Sequence, residues 1–545
     1  MTLTKFARPR GPLALRLMAV AAAASLIGLG ACNESFIPNY NFPTRLTATQ
    51  LGFTNAVFGV YNGRADAGNW ATWTSGMTRI SSYFTNSESR FLSELTGKFA
   101  IQPDDFIGGT VWDVEFDLIK TADSAQALIP ALVASGAESP ADAQINWAIV
   151  ETGKAMNYMY PLMSRDSLGI PINAVGQINP PFAPFLCNQV AWASIIAMFD
   201  SAADSLNAAG PGTRIVLSLP AGLASIADSA RGFQSLTYAL RAKARIEYAY
   251  AIARAANANT GTLTGAAAAQ LDSAQLDIDS VAFFNPVLTA SEAVMPNDAG
   301  VFFAYSTQGN DITNPIFGFI QGYNALKVYV DSVVLPAGDT VLRIDTLDNR
   351  WTAKFIHKVD ANGNDVIPSA VFDSLATGWT YSNNLTGGTP LPIVRNLELQ
   401  FMLARTQIGL GDLPGAISTL NKVRTAVGGV APRTVAATPV PVEMFFIDEA
   451  KASFIAEGSG QDLMAIRDFG LENVFLTTWG NIDTKATLLP VPVTESQPRN
   501  GNVTPDCSGA ASHAAPTPKA VKVAPKKAMP NAATGMSTGR TIKMH

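Results

Sequence analysis

Apolar positions recur at three- and four-residue intervals over much of the chain, the spacing that lines one face of an α-helix. In "GTVWDVEFDLIKTADSAQALIPALV" the stripe is Trp112, Phe116, Ile119, Leu128 and Leu132. The same period runs through 146–163, 190–206 and 231–256, and "ALRAKARIEYAYAIARAANA" is almost wholly strong helix formers. Boundaries are clearest in "PIVRNLELQFMLARTQIGLGDLPGAISTLNKVRTAVGG". A helix from about Val394 to Ile408 stops at Gly409 and Gly411, where glycine tolerates positive φ. Asp412 caps a second helix with Pro414 in its first turn, and that helix ends at Gly428-Gly429.

This pair has the length of a tetratricopeptide unit, with Gly411 and Ala416 where two helices must approach and Leu420 and Val423 facing inward. Arg231–Ala256 with 265–284 reads as a degenerate second unit, and 443–458 with 460–469 as a third; a helical bundle without true repeats is the plainer alternative. Residues 285–325 and 330–392 break the pattern, being rich in Asn, Asp, Gly, Thr and aromatics with short β-like runs such as "VYVDSVVL" and "TVLRID". Loops of that length inside a helical domain are usually functional or disordered. The expected fold is therefore mainly α, a tetratricopeptide-like helical superhelix carrying long irregular loops and short β insertions, with a variable insert at about 285–392.

The ends follow different rules. Lys5, Arg8, Arg10 and Arg16 are the charges of residues 1–31, and an apolar run from Leu17 to Ala31 follows them, the pattern of a secretory signal peptide. As a helix that run would span roughly 22 Å, short of a ~30 Å hydrocarbon core. It closes on Leu29-Gly30-Ala31-Cys32, which resembles a bacterial lipobox. In such signals the cysteine receives the lipid, so Cys32 is the expected attachment point and first mature residue. An ordinary signal peptide with a chance cysteine is the alternative. At the other end, residues 505–545 are Pro/Ala/Lys-rich and are expected to be a disordered basic tail.

Charge and chemistry narrow the function. The chain carries −5 overall; without the four basic residues of 1–31 and the +5 of the tail, the body 32–504 stands at about −14. An acidic body argues against nucleic acid, whose phosphates require a basic surface. Cys187 and Cys507 are the cysteines besides Cys32, too few for a disulfide framework, although a single bridge is open to them in an oxidising compartment. Three histidines and no CxxC give little for a metal. No GxSxG, P-loop, HExxH or dinucleotide fingerprint is present, so neither catalytic residues nor a metal or cofactor are expected.

Against this background a series of segments, in order along the mature chain, resembles the SusD/RagB family of outer-membrane nutrient-uptake lipoproteins. "NYMYPLMSRDSLGIPIN" is similar to the family's helix-to-loop segment, with Tyr158, Tyr160, Leu162, Gly169 and Pro171 in place. "PLPIVRNLELQFMLARTQ" keeps Pro392, Arg395, Glu398 and Met402 of another motif, and "LNKVR" at 420–424 matches L-N-x-V-R. "IDEAKASFIAEGSGQDLMAIRDFG" keeps Glu449, Glu457, Gly458, Asp462, Leu463, Arg467 and Gly470, and "LLPVPVTESQPRN" resembles the closing segment. The chain departs where Arg405 replaces a glutamate, where Lys451-Ala452 stand near the usual Glu-Arg, and in its basic tail. The recurring charges Arg395/Glu398 and Glu457/Arg467 suggest ion pairs in a superhelix.

The resemblance implies a lipid-anchored protein of the outer membrane, exposed at the cell surface. It would bind a nutrient, most often a glycan though a peptide is also open, above a TonB-dependent (SusC-like) transporter. The domain plan it implies is a signal peptide at 1–31, a SusD-like nutrient-binding domain at 32–504 and the tail at 505–545. Sugar recognition uses aromatic rings with Asn, Asp, Gln or Arg beside them. The stretch "FFAYSTQGNDITNPIFGFIQGYN" is the expected binding loop, with Tyr305, Asn310, Asp311 and Tyr323; Trp73, Tyr83, Trp351 and Trp379 are further candidates in what read as polar or glycine-containing loops. Trp112, Trp147 and Trp192 fall in helical stripes and are expected in the core. A tetratricopeptide-like envelope scaffold that binds other proteins is the alternative function.

Overall fold

The computed structural model describes residues 49–83, 90–95, 100–104, 106–172, 182–259, 261–308, 311–319, 323–325, 327–334, 338, 340–366, 377–382, 385–476 and 487–507. Cys32, the signal segment and the tail beyond Cys507 lie outside them. The principal helices are α1 (Gln50–Val60), α2 (Arg64–Met77), α3 (Asp113–Ala134), α4 (Pro140–Arg165), α5 (Asn188–Ala209), α6 (Ala230–Ala255), α7 (Gly265–Ser280), α8 (Asn396–Gly409), α9 (Leu413–Lys422), α10 (Pro439–Phe454) and α11 (Gln461–Asp468). From α3 to α11 each helix packs against the next in sequence, and α1 packs on α3. The chain thus winds into the expected superhelix of antiparallel neighbours.

Local sequence sets the boundaries. Ser139 starts α4 by accepting the Asp142 N–H at 3.1 Å, with Pro140 at the first position. Ser229 does the same for Gly232 at the head of α6, and Asp412 for Gly415 at the head of α9. The turn before α9 needs Gly411 at φ +81°, a left-handed backbone that few other residues adopt without cost. Helix α8 is buried all round, carrying Leu397, Leu399, Phe401, Met402, Ala404 and Ile408 together with Glu398 and Arg405.

Among the described residues, strands occur only as short pieces: β1 (Ser81–Tyr83), β2 (Ile170–Pro171), β3 (Phe185–Leu186), β4 (Gly300–Phe303), β5 (Tyr323–Ala325), β6 (Ser332–Val334), β7 (Thr340–Leu342), β8 (Phe355–His357), β9 (Trp379–Tyr381) and β10 (Leu391–Arg395). One antiparallel sheet has the order β1-β5-β9-β8, and β10 pairs with β4 as it feeds directly into α8. These pairings tie the strands of 300–395 to β1 and to the start of α8.

Charges inside the superhelix pair across helices. Arg395 takes Glu457 at 2.8 Å and Asp298 at 2.9 Å, while Glu398 takes Lys243 at 3.0 Å. The expected pairs Arg395/Glu398 and Glu457/Arg467 are thus replaced by partners from other segments, because Arg395 stands in the extended backbone of β10 before α8 begins and so reaches different neighbours from Glu398 on the helix. Arg405, the departure from the family pattern, is buried between Glu247 of α6 and Asp468 of α11. Lys451 donates to the Thr78 carbonyl at 2.7 Å and sits 3.6 Å from the centre of the Tyr329 ring. Arg424 of "LNKVR" and Arg350 both bind Glu449, at 2.9 and 2.7 Å.

Two acids are buried less comfortably. Burial lifts the Asp66 carboxyl to about 6 and pushes Glu115 well above the carboxylate range, with Asp66 adding to the effect on Glu115. Neither Glu115 oxygen has a hydrogen-bond partner among the described residues. A folded-state value above the unfolded one means that the native state holds the proton longer. The contribution is therefore fully present below about pH 4 and is lost as pH rises through 6, by about 3 kcal/mol at Asp66. Asp66→Asn is expected to remove that slope, matching the parent near pH 4 and exceeding its stability at pH 7. Urea midpoints measured from pH 4 to 8 check it; parallel curves for parent and variant would refute it.

Candidate functional site

The expected binding loop leaves β4 and lies against the start of α2. Helix α2 accepts it because Gly68 has no side chain: a Cβ there would stand 2.5–2.6 Å from the Pro315 ring. Gly222, in the 3-10 turn Ala221–Ile226, similarly lets that turn lie directly on the backbone of Phe302. Beside the second of these approaches lies a cleft of about 280 Å³. Its walls are Phe58 and Tyr61 from the end of α1, Pro220 and Leu223 from the turn, and Phe302 and Phe303 from β4; Asn62, Arg64 and Asp311 supply the polar groups.

Arg64 organises the cleft. Its Nη1 donates to the Ala304 carbonyl and binds Asp311 Oδ1, both at 2.9 Å, and its Nε donates to Asn62 Oδ1 at 3.0 Å. Tyr305 locks the arrangement from behind by donating its hydroxyl to the Arg64 carbonyl at 2.5 Å; burial holds that phenol far above its usual range. Asp311 stays ionised through the Ile312 N–H and Arg64, which hold its carboxyl below the ordinary value. Phe58 is 43% exposed, and Asp311 also faces solvent. The result is an apolar aromatic face beside a cation, an amide and a carboxylate. Such a surface suits a ligand whose rings have apolar faces and whose edges carry hydroxyls. A somewhat larger hollow, about 360 Å³ near Gln50, Asn146 and Arg214, has no aromatic ring in its wall. No group of three or more His, Cys, Asp or Glu among the described residues could hold a metal ion.

The other sequence candidates separate. Trp73 and Trp351 were expected to offer ring faces from loops, and both are corrected to core residues. Trp73 lies within α2, donates Nε1 to Thr110 at 2.7 Å and packs on Phe91 and Phe106. Trp351 is fully buried, stacked on Phe355 at 4.3 Å. Tyr305 is likewise buried, so it supports the cleft from beneath. Trp379 is half-buried; it meets Trp351 edge-on at 5.4 Å and stacks on His357 at 4.8 Å, and His357 bonds Asp365 at 2.8 Å. Tyr83 and Tyr323 stand opposite each other in the β1–β5 register, described for their backbone alone. Asn310 and Cys32 lie outside the described residues. The cleft therefore gathers Tyr305 and Asp311, and the four-stranded sheet gathers Tyr83, Tyr323 and Trp379 elsewhere. Sequence reasoning missed Phe58 and Arg64; "VFGVYNGR" reads as a helix end, and its contact with a loop some 240 residues later leaves no local signal.

A SusD superfamily protein from Bacteroides vulgatus superposes with a TM-score of 0.57 at 12% identity, covering 83% of this chain and 97% of its own. The SusD fold is shown. Surface glycan-binding protein A from Bacteroides uniformis matches this chain with a TM-score of 0.53 at 15% identity, over 82% and 98% of the two chains. A laminarin-binding SusD-like protein gives 0.53 at 13% identity, over 84% and 98%. No family model matches the sequence, and no curated protein matches it. Agreement at this level of identity lies in the helix arrangement, which many core sequences satisfy. No helix among the described residues is long and apolar enough to cross a membrane.

Proposed function

We propose that the chain is a lipid-anchored cell-surface binding protein that captures a glycan and passes it to a TonB-dependent, SusC-like outer-membrane transporter. The observation that carries this reading is the fold, shared along most of both chains with structures described as glycan- and laminarin-binding. The lipobox-like Leu29-Gly30-Ala31-Cys32 supports the anchor, with the lipid on Cys32 holding the domain on the membrane. The cleft beside Phe58, Arg64 and Asp311 supports the ligand class, and its groups fit recognition without turnover.

A glycan array probed with the chain from Asn33 onward tests the reading. Binding to at least one oligosaccharide class is expected, with no cleavage of it. Phe58→Ala and Asp311→Ala should each weaken that binding about tenfold, roughly 1.4 kcal/mol. Both side chains face solvent, so the thermal midpoint should hold within about 2 °C. Retained affinity in both variants would remove the cleft from the proposal. Capture of proteins with no glycan bound would favour the envelope scaffold, and failure of the lipidated form to co-purify with an outer-membrane barrel would remove the transporter.

A further inference from the structure

The last described segment returns to the helical body beside β3. Asp506 pairs with Leu186 as a parallel bridge: its N–H donates to the Phe185 carbonyl at 2.7 Å, and its carbonyl accepts the Cys187 N–H at 3.1 Å. This register sets Cys187 and Cys507 side by side, one step beyond the bridged pair and therefore on the same face of the two strands. Neighbouring strands run about 4.8 Å apart, within the roughly 4.4–6.8 Å between Cα atoms that a disulfide spans. The rest of the segment is fixed independently. Arg499 donates to the Ala183 carbonyl at 2.7 Å and lies over the Phe182 and Phe185 rings, and the Leu489 N–H donates to Ser164 at 2.8 Å. The pairing is thus prearranged by contacts that do not involve sulfur.

We propose that Cys187 and Cys507 form a disulfide that clasps the C-terminal segment to the body, fixing where the basic tail departs. In the structure both are thiols, Cys187 buried and Cys507 exposed. Contact with the Cys187 thiol, then burial, raises Cys507 to about 11, so little of it is thiolate near neutral pH and the exchange proceeds slowly unless an oxidoreductase carries it. The co-reactant is a disulfide, either of an oxidoreductase or of a small thiol. Cys507, the accessible sulfur, loses its proton to water and attacks that disulfide, releasing one thiolate and leaving a mixed disulfide. Cys187 then loses its proton and attacks the Cys507 sulfur, expelling the second thiolate. Two cysteines are oxidised by two electrons, one external disulfide is reduced to two thiols, and the released thiolates take up the two protons. An extracytoplasmic location supplies such an oxidant, but the chemistry requires no glycan and stands or falls separately from ligand binding.

The test uses the Cys32→Ser chain equilibrated with oxidised and reduced glutathione, then denatured, alkylated with iodoacetamide and digested. Expected are a peptide pair joined through Cys187 and Cys507, an intact mass about 2 Da below the reduced form, and a thermal midpoint that falls by a few degrees on reduction. Cys507→Ser and the Cys187→Ser/Cys507→Ser double variant should both match the reduced parent in midpoint and lose the redox response. If the single variant fails to fold, the double variant and the parent's own reduction still decide. Both cysteines remaining alkylatable after oxidation, or forming only intermolecular dimers, would overturn the proposal.

Discussion

Glu457→Ala is expected to destabilise the fold by about 3–5 kcal/mol, the cost of stranding a buried cation. Glu457 is buried and accepts a two-pronged contact from Arg395, 2.8 Å to Nε and 2.9 Å to Nη2, while Lys354 Nζ lies 2.5 Å away. Removing it leaves Arg395 on Asp298 and the Glu292 carbonyl, and Lys354 on the Ser453 carbonyl alone. Burial has already lowered Lys354 to about 8. Its folded value therefore lies below its unfolded one, so the unfolded chain binds more protons and stability rises with pH between the two. In the variant Lys354 loses its carboxylate, and part of the loss should be recovered as pH rises toward 10. Urea unfolding at pH 7 and 9 measures both effects. Glu457→Gln, which keeps the hydrogen-bond acceptor, should cost less than alanine. A loss below about 1 kcal/mol at pH 7 would show that Asp298 alone satisfies Arg395.

Trp351→Ala is expected to cost about 3–5 kcal/mol through the cavity it leaves between the four-stranded sheet and α10. The ring is fully buried on Phe355 and edge-on to Trp379, and its neighbour Arg350 carries the Asp348 and Glu449 pairs. Trp379→Ala, at a half-buried ring, should cost roughly a third as much. The two variants separate a core role from a ligand platform, because thermal midpoints read the first and glycan affinity reads the second. A Trp351→Ala protein with an unchanged midpoint and lost glycan binding would return Trp351 to the site and overturn its placement in the core.

The helices were legible because each rests on local information. The α8–α9 unit shows its apolar period, the Asp412 cap and the Gly411 turn within some forty residues; α8 begins and ends one or two residues from the expected positions, and α9 reaches the expected Gly428 only through a π-helical turn at Val423–Val427. The loop aromatics were harder to read. Trp73 sits among Thr, Ser and Gly, "NWATWTSGM", which resembles a polar loop, yet those small residues let α2 pack closely enough to be buried on nearly every side. Trp351 follows Asp348 and Asn349, whose polarity serves a helical cap and a buried ion pair. In both places polar composition signalled internal hydrogen bonding where it had suggested solvent.

By itself the sequence determined the α-helical class and the repeat-like pairing, together with the segments whose order resembles the SusD/RagB family. These follow from periodicity, caps and glycine turns, which act over a few residues and survive wide divergence elsewhere. Only the tertiary structure decided which charges pair, that Tyr305 supports the cleft while Phe58 and Arg64 face it, and that Cys187 meets Cys507. Those outcomes depend on contacts between residues 60 to more than 300 positions apart. Such pairings are fixed by how helices and loops pack, and no pattern along the chain encodes them.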